Sequence, residues 1–348
     1  MERGTRSVKP GAGRGTGPFF TIAIAALLLL VVISFSVGRY PVSVSELLNL
    51  LWSKISGRST GMPDAVEAVV FRVRGPRLLA SMVVGSTLAV SGAVYQGLFR
   101  NPLVSPDILG VSSGAALGAV LGIYFSLGVF GIQALAFAVG LGAVAAVYLI
   151  ATFLRHHDPL LTLVLAGVVI GTLLGSVVGL IKYLADPYNQ LPAITFWLLG
   201  SLTGITVPDV LAILPTVAVG LVPLYLLRWR MNVMTLGDEE AQALGVEVQR
   251  IRLAVVAAAT LMTAAAVSVS GIIGWIGLLI PHFARLLVGP DFSRLLPAAI
   301  LLGAGYLLGV DTIARTISTI EVPLGVLTAF IGTPFFIWVL AASHKAWR

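Results

Sequence analysis

Long apolar runs follow one another along almost the whole chain, and they constrain its fold more than any other feature of the sequence. Each run approaches the roughly 20 mainly apolar residues that a helix needs to cross a bilayer core. Only 11% of the residues are charged, against about 25% in soluble domains. The sequence therefore predicts an all-α, polytopic membrane protein with about ten transmembrane helices. The predicted spans are 19–37, 78–99, 108–128, 131–154, 159–181, 192–227 (a re-entrant turn, then a span from about 208), 253–271, 272–288, 295–313 and 322–341.

The segments between the predicted spans are short, so a single transmembrane domain is expected over residues 19–341. A basic tail, 1–18, precedes it, and a second tail, 342–348, follows it. The longest connection, 38–77, contains a stretch whose apolar side chains recur at helical spacing. This pattern predicts a helix lying on the membrane surface. The apolar positions are Val44, Leu47, Leu48, Leu51 and Ile55.

Lysine and arginine set the expected orientation. With the amino terminus in the cytoplasm, fourteen of the 22 cations lie inside, as the positive-inside rule requires, and both termini are cytoplasmic. The basic composition therefore indicates contact with membrane lipid, and nucleic-acid binding is not expected. Most of the outside cations lie in the one connection 38–77. They could anchor the lipid interface or form a docking surface for an acidic partner, and the residues alone favour neither.

Two predicted spans carry glycine at every fourth position. This spacing places the smallest side chains on one helix face and lets helix backbones approach closely. The first stripe predicts tight helix packing, and the second predicts either packing or a wall of a substrate path. The two stripes are Gly110, Gly114, Gly118 and Gly122, and Gly167, Gly171, Gly175 and Gly179.

The chain shows no energy source of its own. No Asp, Glu, Lys or Arg falls near the middle of a predicted span, whereas ion-coupled carriers usually keep one there. No Gly-Lys dipeptide occurs, so the phosphate-binding loop of nucleotide hydrolases is excluded. We therefore expect no enzymatic activity, no cofactor and no metal site. The rival functions are an ion-coupled carrier or channel and an intramembrane hydrolase, the latter suggested by a G-x-S-x-G match at 110–114.

The segment 229–252 is polar, and its pattern is helical. Gly237 and Gly245 would bound a short helix whose acidic first turn suits a helix amino terminus. Such a helix could be the contact for a soluble partner, or the segment could be an ordinary loop.

Five separated blocks of the sequence form a distinctive set. They are RGPR (74–77), SGAVYQGLFRNPLVSPDILGVSSGA (91–115), GDEEAQALGV (237–246), SGIIGWIGLLIPHFAR (270–285) and GVDTIAR…EVPLGVLTAFIGTPFFIWVL (309–340). Together these blocks resemble the FecCD-type permeases of ABC importers for iron–siderophores, haem and cobalamin. The resemblance implies a BtuC-like type II importer fold in the cell membrane and a homodimer with the path at its axis. It also implies two copies of a separate cytoplasmic ABC ATPase and an extracytoplasmic solute-binding protein.

The same resemblance implies roles for particular residues. Arg74, Arg77 and Arg315 would dock the binding protein, with Asp311 holding Arg315 in place. The segment 237–250 would couple to the ATPase, and an apolar pair would close the path on the cytoplasmic side. A ferric siderophore is the favoured cargo, while cobalamin, haem and molybdate stay open. The coupling residues are Gly237, Glu240, Ala241, Leu244 and Gly245, and the gate residues are Leu160 and Leu161.

Overall fold

Every regular element of the structure is a helix. The computed structural model describes residues 17–38, 40–57, 62–154 and 159–346. Most of the predicted basic tail lies outside these ranges. In chain order the helices are α1 Gly17–Ser36, α2 Val44–Ser56, α3 Asp64–Ala68, α4 Gly75–Leu98, α5 Val111–Tyr124, α6 Val129–Phe153, α7 Pro159–Leu184, α8 Gln190–Leu198, α9 Val207–Leu226, α10 Arg228–Met234, α11 Asp238–Ala243, α12 Val248–Ser270, α13 Ile276–Val288, α14 Phe292–Ala314 and α15 Leu324–Ala346; a π-helical turn, Val69–Arg74, joins α3 to α4, and a 3-10 turn, Pro106–Leu109, precedes α5.

Ten apolar helices form the membrane bundle. Seven are long enough to cross a bilayer, with α4 continuing the turn and short helix before it. The other three are the shorter apolar helices α5 and α13 and the Leu324–Trp338 part of α15, within the described residues. Together they correspond to the ten predicted spans, so the predicted fold class is confirmed. We call the end of the bundle where α2 lies the α2 end, and the opposite end the α11 end.

Predicted helix limits fail where glycine or a turn interrupts an apolar run. The predicted span 272–288 becomes helical only at Ile276, because Gly271 (φ 67°) and Trp275 (φ 71°) adopt left-handed backbone conformations. The predicted break inside 192–227 is present, since α8 and α9 are separate helices. At the carboxyl end, α15 continues past the predicted limit of 341 to Ala346.

The connection between α4 and α5, residues 99–110, folds back into the bundle. A Cβ on Gly167 of α7 would overlap the carbonyl oxygen of Ile108, and one on Gly140 of α6 would lie 3.2 Å from that of Val111. Gly167 lies eight residues inside α7, or about 12 Å at 1.5 Å per residue, and Gly140 is near the middle of α6. Hence α5 begins at half depth, and its 14 residues reach only from there to the α2 end.

Three glycines of the first stripe, Gly114, Gly118 and Gly122, pack α5 against α6, as predicted, whereas Gly110 precedes α5 and lies against α7. A Cβ on Gly114 would lie 2.6 Å from the Cβ of Ala143, and one on Gly118 would overlap the carbonyl of Leu135. The second stripe is divided. Gly167 packs against the 99–110 connection, whereas Gly175 and Gly179 face open space. Packing therefore explains only part of the second stripe.

Backbone contacts also fix the centre of the bundle. Gly85 of α4 and Gly303 of α14 meet so closely that a Cβ on either would overlap the other's carbonyl. A Cβ on Gly92 would overlap the carbonyl oxygen of Gly277 of α13, and one on Gly277 would overlap the ring of Pro106. These contacts bury α4 along most of its length, whereas α1 is exposed on nearly all sides.

The predicted surface helix is present as α2. Its amino terminus is a capping box in which Ser43 N–H donates to Glu46 Oε2 at 2.7 Å and Glu46 N–H donates to Ser43 Oγ at 3.2 Å. Leu47, expected on the exposed apolar face, instead packs inward together with Leu50. The outward face keeps the other predicted positions and adds an aromatic side chain: Val44, Leu48, Leu51, Trp52 and Ile55.

Candidate functional site

The three arginines predicted to dock a partner lie together at the α2 end, but their side chains are directed into the protein. Arg74, Arg77 and Arg315 are only 5%, 9% and 7% exposed. Arg74 donates to the carbonyl oxygens of Phe35 and Tyr40, the latter at 2.5 Å. Two guanidinium groups hold the end of α1, because Arg315 also donates to the carbonyl oxygens of Ser34 and Val37. This suits a cation, since the carboxyl end of a helix carries partial negative charge.

Arg77 joins three parts of the chain. Its Nε donates to Asp311 Oδ1 on α14 at 2.9 Å, and its Nη1 donates to Glu321 Oε1 at 3.0 Å. Glu321 Oε2 accepts a 2.6 Å hydrogen bond from Thr203, in the turn between α8 and α9. The expected pairing of Asp311 with Arg315 is present as a longer contact of 3.7 Å. Sequence reasoning missed the link through Glu321 and Thr203, because the two residues lie 118 positions apart and no local spacing indicates their contact.

The five predicted coupling residues divide into two groups at the α11 end. Ala241 is fully buried, and Gly237 (φ 146°) is buried beneath the side chain of Glu240. These two residues seat α11 on the bundle. Glu240, Leu244 and Gly245 are exposed, with Leu244 58% accessible. Leu236 (61%) is exposed beside them, so an apolar surface bordered by carboxylates projects from this end.

Two polar contacts fix the coupling segment to the bundle. Arg252 at the start of α12 is 1% exposed, and its Nη2 lies 2.6 Å from Asp238 Oδ2 at the start of α11. On α10, Asn232 donates to Asp291 Oδ1 at 2.7 Å and accepts from the backbone N–H of Phe292 at 2.8 Å. Hydrogen bonds from the Ser293 backbone and from Asn232 lower the pKa of the Asp291 carboxyl below its ordinary value. The first contact thus joins α11 to α12, and the second joins the neighbouring α10 to the start of α14.

The predicted gate residues lie in the first turn of α7 at the α11 end. Leu161 is 55% exposed, and Leu160 is partly buried. The rest of the predicted gate loop, residues 155–158, lies outside the described residues.

One acidic residue contradicts the expected absence of charge at half depth. Asp107 lies in the 3-10 turn that precedes α5, inside the bundle, and its side chain is exposed. Ser112 donates a short hydrogen bond to its Oδ1. In the described part of the chain the Ser112 hydroxyl contacts no histidine, so the G-x-S-x-G match forms no Ser-His pair. Sequence reasoning missed Asp107 because it directly precedes the predicted span 108–128, and the residue before a span is expected at the membrane surface.

No three His, Asp or Glu side chains among the described residues converge as metal ligands would. The ten-helix bundle with a short, anchored helix at one end defines a many-span membrane permease. The chain belongs to the FecCD transport family, whose sequence profile matches residues 26–342. It is thus the permease subunit of an ABC importer.

Relatives with different cargoes resemble the chain across most of its length. A molybdate import system permease of Haemophilus influenzae is 40% identical over 89% of this chain and 91% of its own. A cobalamin import system permease of Halobacterium salinarum is 45% identical over 80% of this chain and 75% of its own. A solved structure of a metal-chelate type ABC transporter in an inward-facing conformation is similar at 36% identity and TM-score 0.84, covering 94% of this chain and 99% of that one.

Proposed function

We propose that the chain imports a metal chelate, with a ferric siderophore as the favoured cargo. Two copies would form the path between them, an extracytoplasmic binding protein would deliver the cargo, and two copies of a cytoplasmic ABC ATPase would supply the energy. The observation that carries this proposal is the anchored coupling segment, because a self-powered carrier has no need of an exposed apolar surface fixed to its spans. Similarity to a metal-chelate type transporter supports the cargo class. Cobalamin, haem and molybdate are the alternative cargoes.

In this proposal the α11 end faces the cytoplasm and both termini are cytoplasmic. Positive charge supports the orientation, since Arg228, Arg230, Arg250 and Arg294 all lie at the α11 end. The α2 end then faces the binding protein. The apolar outward face of α2 would lie against lipid, and residues 19–341 would act as one transmembrane domain.

Docking of the binding protein would use the arginine cluster at the α2 end. The net charge of the cluster supports this role. Its three guanidinium groups outnumber the two carboxylates of Asp311 and Glu321, so the cluster carries one net positive charge. Arg74 contributes that excess, since its described hydrogen bonds are to backbone carbonyls alone. An acidic group of the partner would be attracted to this surface.

Coupling would run through the exposed part of the 237–250 segment. Leu236 and Leu244 would fill an apolar cleft of the ATPase, and Glu240 would lie at the rim. The buried residues Gly237 and Ala241 would transmit the motion to the bundle. Leu160 and Leu161, with their counterparts in the second copy, would close the path by excluding water from an apolar constriction.

The test is transport by the reconstituted complex in vesicles, with the binding protein outside and ATP inside. A ferric hydroxamate siderophore should accumulate only when both are present, and accumulation should survive an uncoupler. An ATPase variant that cannot hydrolyse ATP is the control. Cyanocobalamin, haem and molybdate are compared under the same conditions to decide the cargo. Uptake driven by a proton gradient alone would contradict the proposal and favour the ion-coupled rival.

A further inference from the structure

Three properties of Asp107 bear on its function: its depth in the bundle, the exposure of its side chain and a carboxyl oxygen without a hydrogen bond. The 3-10 turn that carries Asp107 lies at half depth, where the backbone of Ile108 approaches Gly167 on α7 and that of Val111 approaches Gly140 on α6. Its side chain is exposed although helices surround the turn that carries it. Only Oδ1 is bonded, by Ser112, and Oδ2 has no hydrogen-bond partner within the described residues. A carboxyl oxygen is thus available at the middle of the bundle.

The exposed surface of the Asp107 carboxylate cannot face lipid. A charge at the centre of a bilayer is costly, so ionisable side chains there face the bundle interior or a water-filled cavity. Because Asp107 is not covered by its own chain, its exposed surface must face either an aqueous path or the second copy of the permease that encloses that path.

The surroundings of Asp107 fit the wall of a path. Gly110 of the same turn lies beside Gly171 of α7, and Ser113 follows Ser112 close to the same glycine. Beyond it, α7 exposes the small residues Thr172, Gly175, Ser176 and Gly179. No Lys or Arg pairs with Asp107 in the described part of the chain, so its negative charge is not neutralised.

We propose that Asp107, held by Ser112, is a specificity-determining residue of the translocation path. Its carboxylate favours cargo that carries cationic or hydrogen-bond-donor groups, and it retards free oxyanions. The physical reason is that a fixed charge acts strongly in a narrow, poorly screened channel, attracting one sign of charge and repelling the other. The inference rests on the proposed import function and narrows its cargo, since a metal chelate with donor groups would pass and molybdate would not.

Cysteine labelling tests the placement without knowing the cargo, because the natural chain has no cysteine. Asp107→Cys should react in membranes with small water-soluble methanethiosulfonate reagents. The control Leu28→Cys, exposed at the middle of α1, should not react because lipid surrounds it. Lack of reaction at position 107 in both ATP-bound and nucleotide-free complexes would overturn the inference.

A second labelling experiment tests the effect of the Asp107 charge. With Ser113→Cys, a cationic reagent should react about tenfold faster than an anionic one, because the carboxylate concentrates cations nearby. Adding Asp107→Asn should abolish this preference, whereas Asp107→Glu should retain it. Equal rates in the presence of Asp107 would contradict the proposal.

Vesicle uptake assays then test the role of Asp107 separately from the proposed import function on which that role rests. In reconstituted vesicles, Asp107→Asn should lower uptake of a ferric hydroxamate siderophore and raise uptake of molybdate, while Asp107→Glu restores the original order. Unchanged relative uptake in Asp107→Asn would overturn the inference alone. The unaltered complex could transport neither compound while Ser113→Cys still reacts faster with the cationic reagent. In that case the proposed cargo is wrong, and the role of Asp107 in the path is retained.

Discussion

Buried arginines at the α2 end hold separate helices together. Arg74 and Arg315 bind the last carbonyls of α1, a helix that otherwise packs little. Arg77 connects α4 with Asp311 on α14 and with the loop that follows it. Their positions could be predicted from the sequence, but their burial could not. Their partner groups are backbone carbonyls and carboxylates far away in the chain, and no local spacing reveals these.

Charge reversal of the cluster should weaken docking of the binding protein. We expect Arg74→Glu to reduce its affinity by about tenfold or more, because an attractive contact becomes repulsive. Replacing an acidic residue of the partner by lysine should restore part of the loss. Arg72→Glu is the matched control, since Arg72 is exposed and lies outside the cluster. Affinity is measured by surface-immobilised titration of the detergent-solubilised permease.

Stability must be followed in the same variants. Removing Arg77 leaves Asp311 buried without its main partner, and breaking a buried pair typically costs about 3–5 kcal/mol. Arg77→Ala should therefore lower the thermal unfolding temperature even without a partner. If Arg74→Glu keeps both its stability and its affinity for the binding protein, the docking role is wrong.

Among the helices, the two glycine stripes behave differently. Their spacing predicts close packing, which holds for α5 against α6 but for only part of α7. Spacing alone does not indicate that Gly175 and Gly179 stay uncovered in the single chain; in the proposed dimer the second copy would cover them. Likewise, the 99–110 connection reads as a surface turn. Its depth results from backbone contacts with glycines on α7 and α13, which no local pattern records.

The coupling segment permits a prediction at the same scale. Leu244→Glu should uncouple the importer, because a charge in an apolar cleft must be desolvated. ATP hydrolysis should persist while vesicle uptake of the cargo falls by about tenfold or more, the fold-change expected when roughly 1.4 kcal/mol of interaction is lost. Ser293→Glu, exposed at the same end of the bundle but outside the 237–250 segment, is the control. Full coupling in Leu244→Glu would contradict the assigned contact.

The same segment lies close to the connection that carries Asp107. A Cβ on Gly237 would lie 3.5 Å from Nη1 of Arg100, the residue two positions past the end of α4. From Arg100 the chain runs directly to half depth. A movement of α11 can therefore reach the middle of the bundle through a single short connection.

For the whole molecule, hydropathy alone predicts the ten apolar helices, and the resemblance correctly predicts the family.

The orientation can be tested in the cysteine-free background. Ser318→Cys, exposed at the α2 end, should react in intact cells with a membrane-impermeant maleimide, while Gln242→Cys should react only after permeabilisation. The reverse pattern would place both termini outside.

The half-depth start of α5 has a consequence for biogenesis. With 14 and 13 residues, α5 and α13 are too short to cross a hydrocarbon core of about 30 Å. Neither can therefore leave the translocon as an independent span. We expect each to enter the lipid together with a neighbouring long helix, such as α6 or α14. Mutations that disrupt the Gly114 and Gly118 contacts between α5 and α6 should therefore impair insertion of α5.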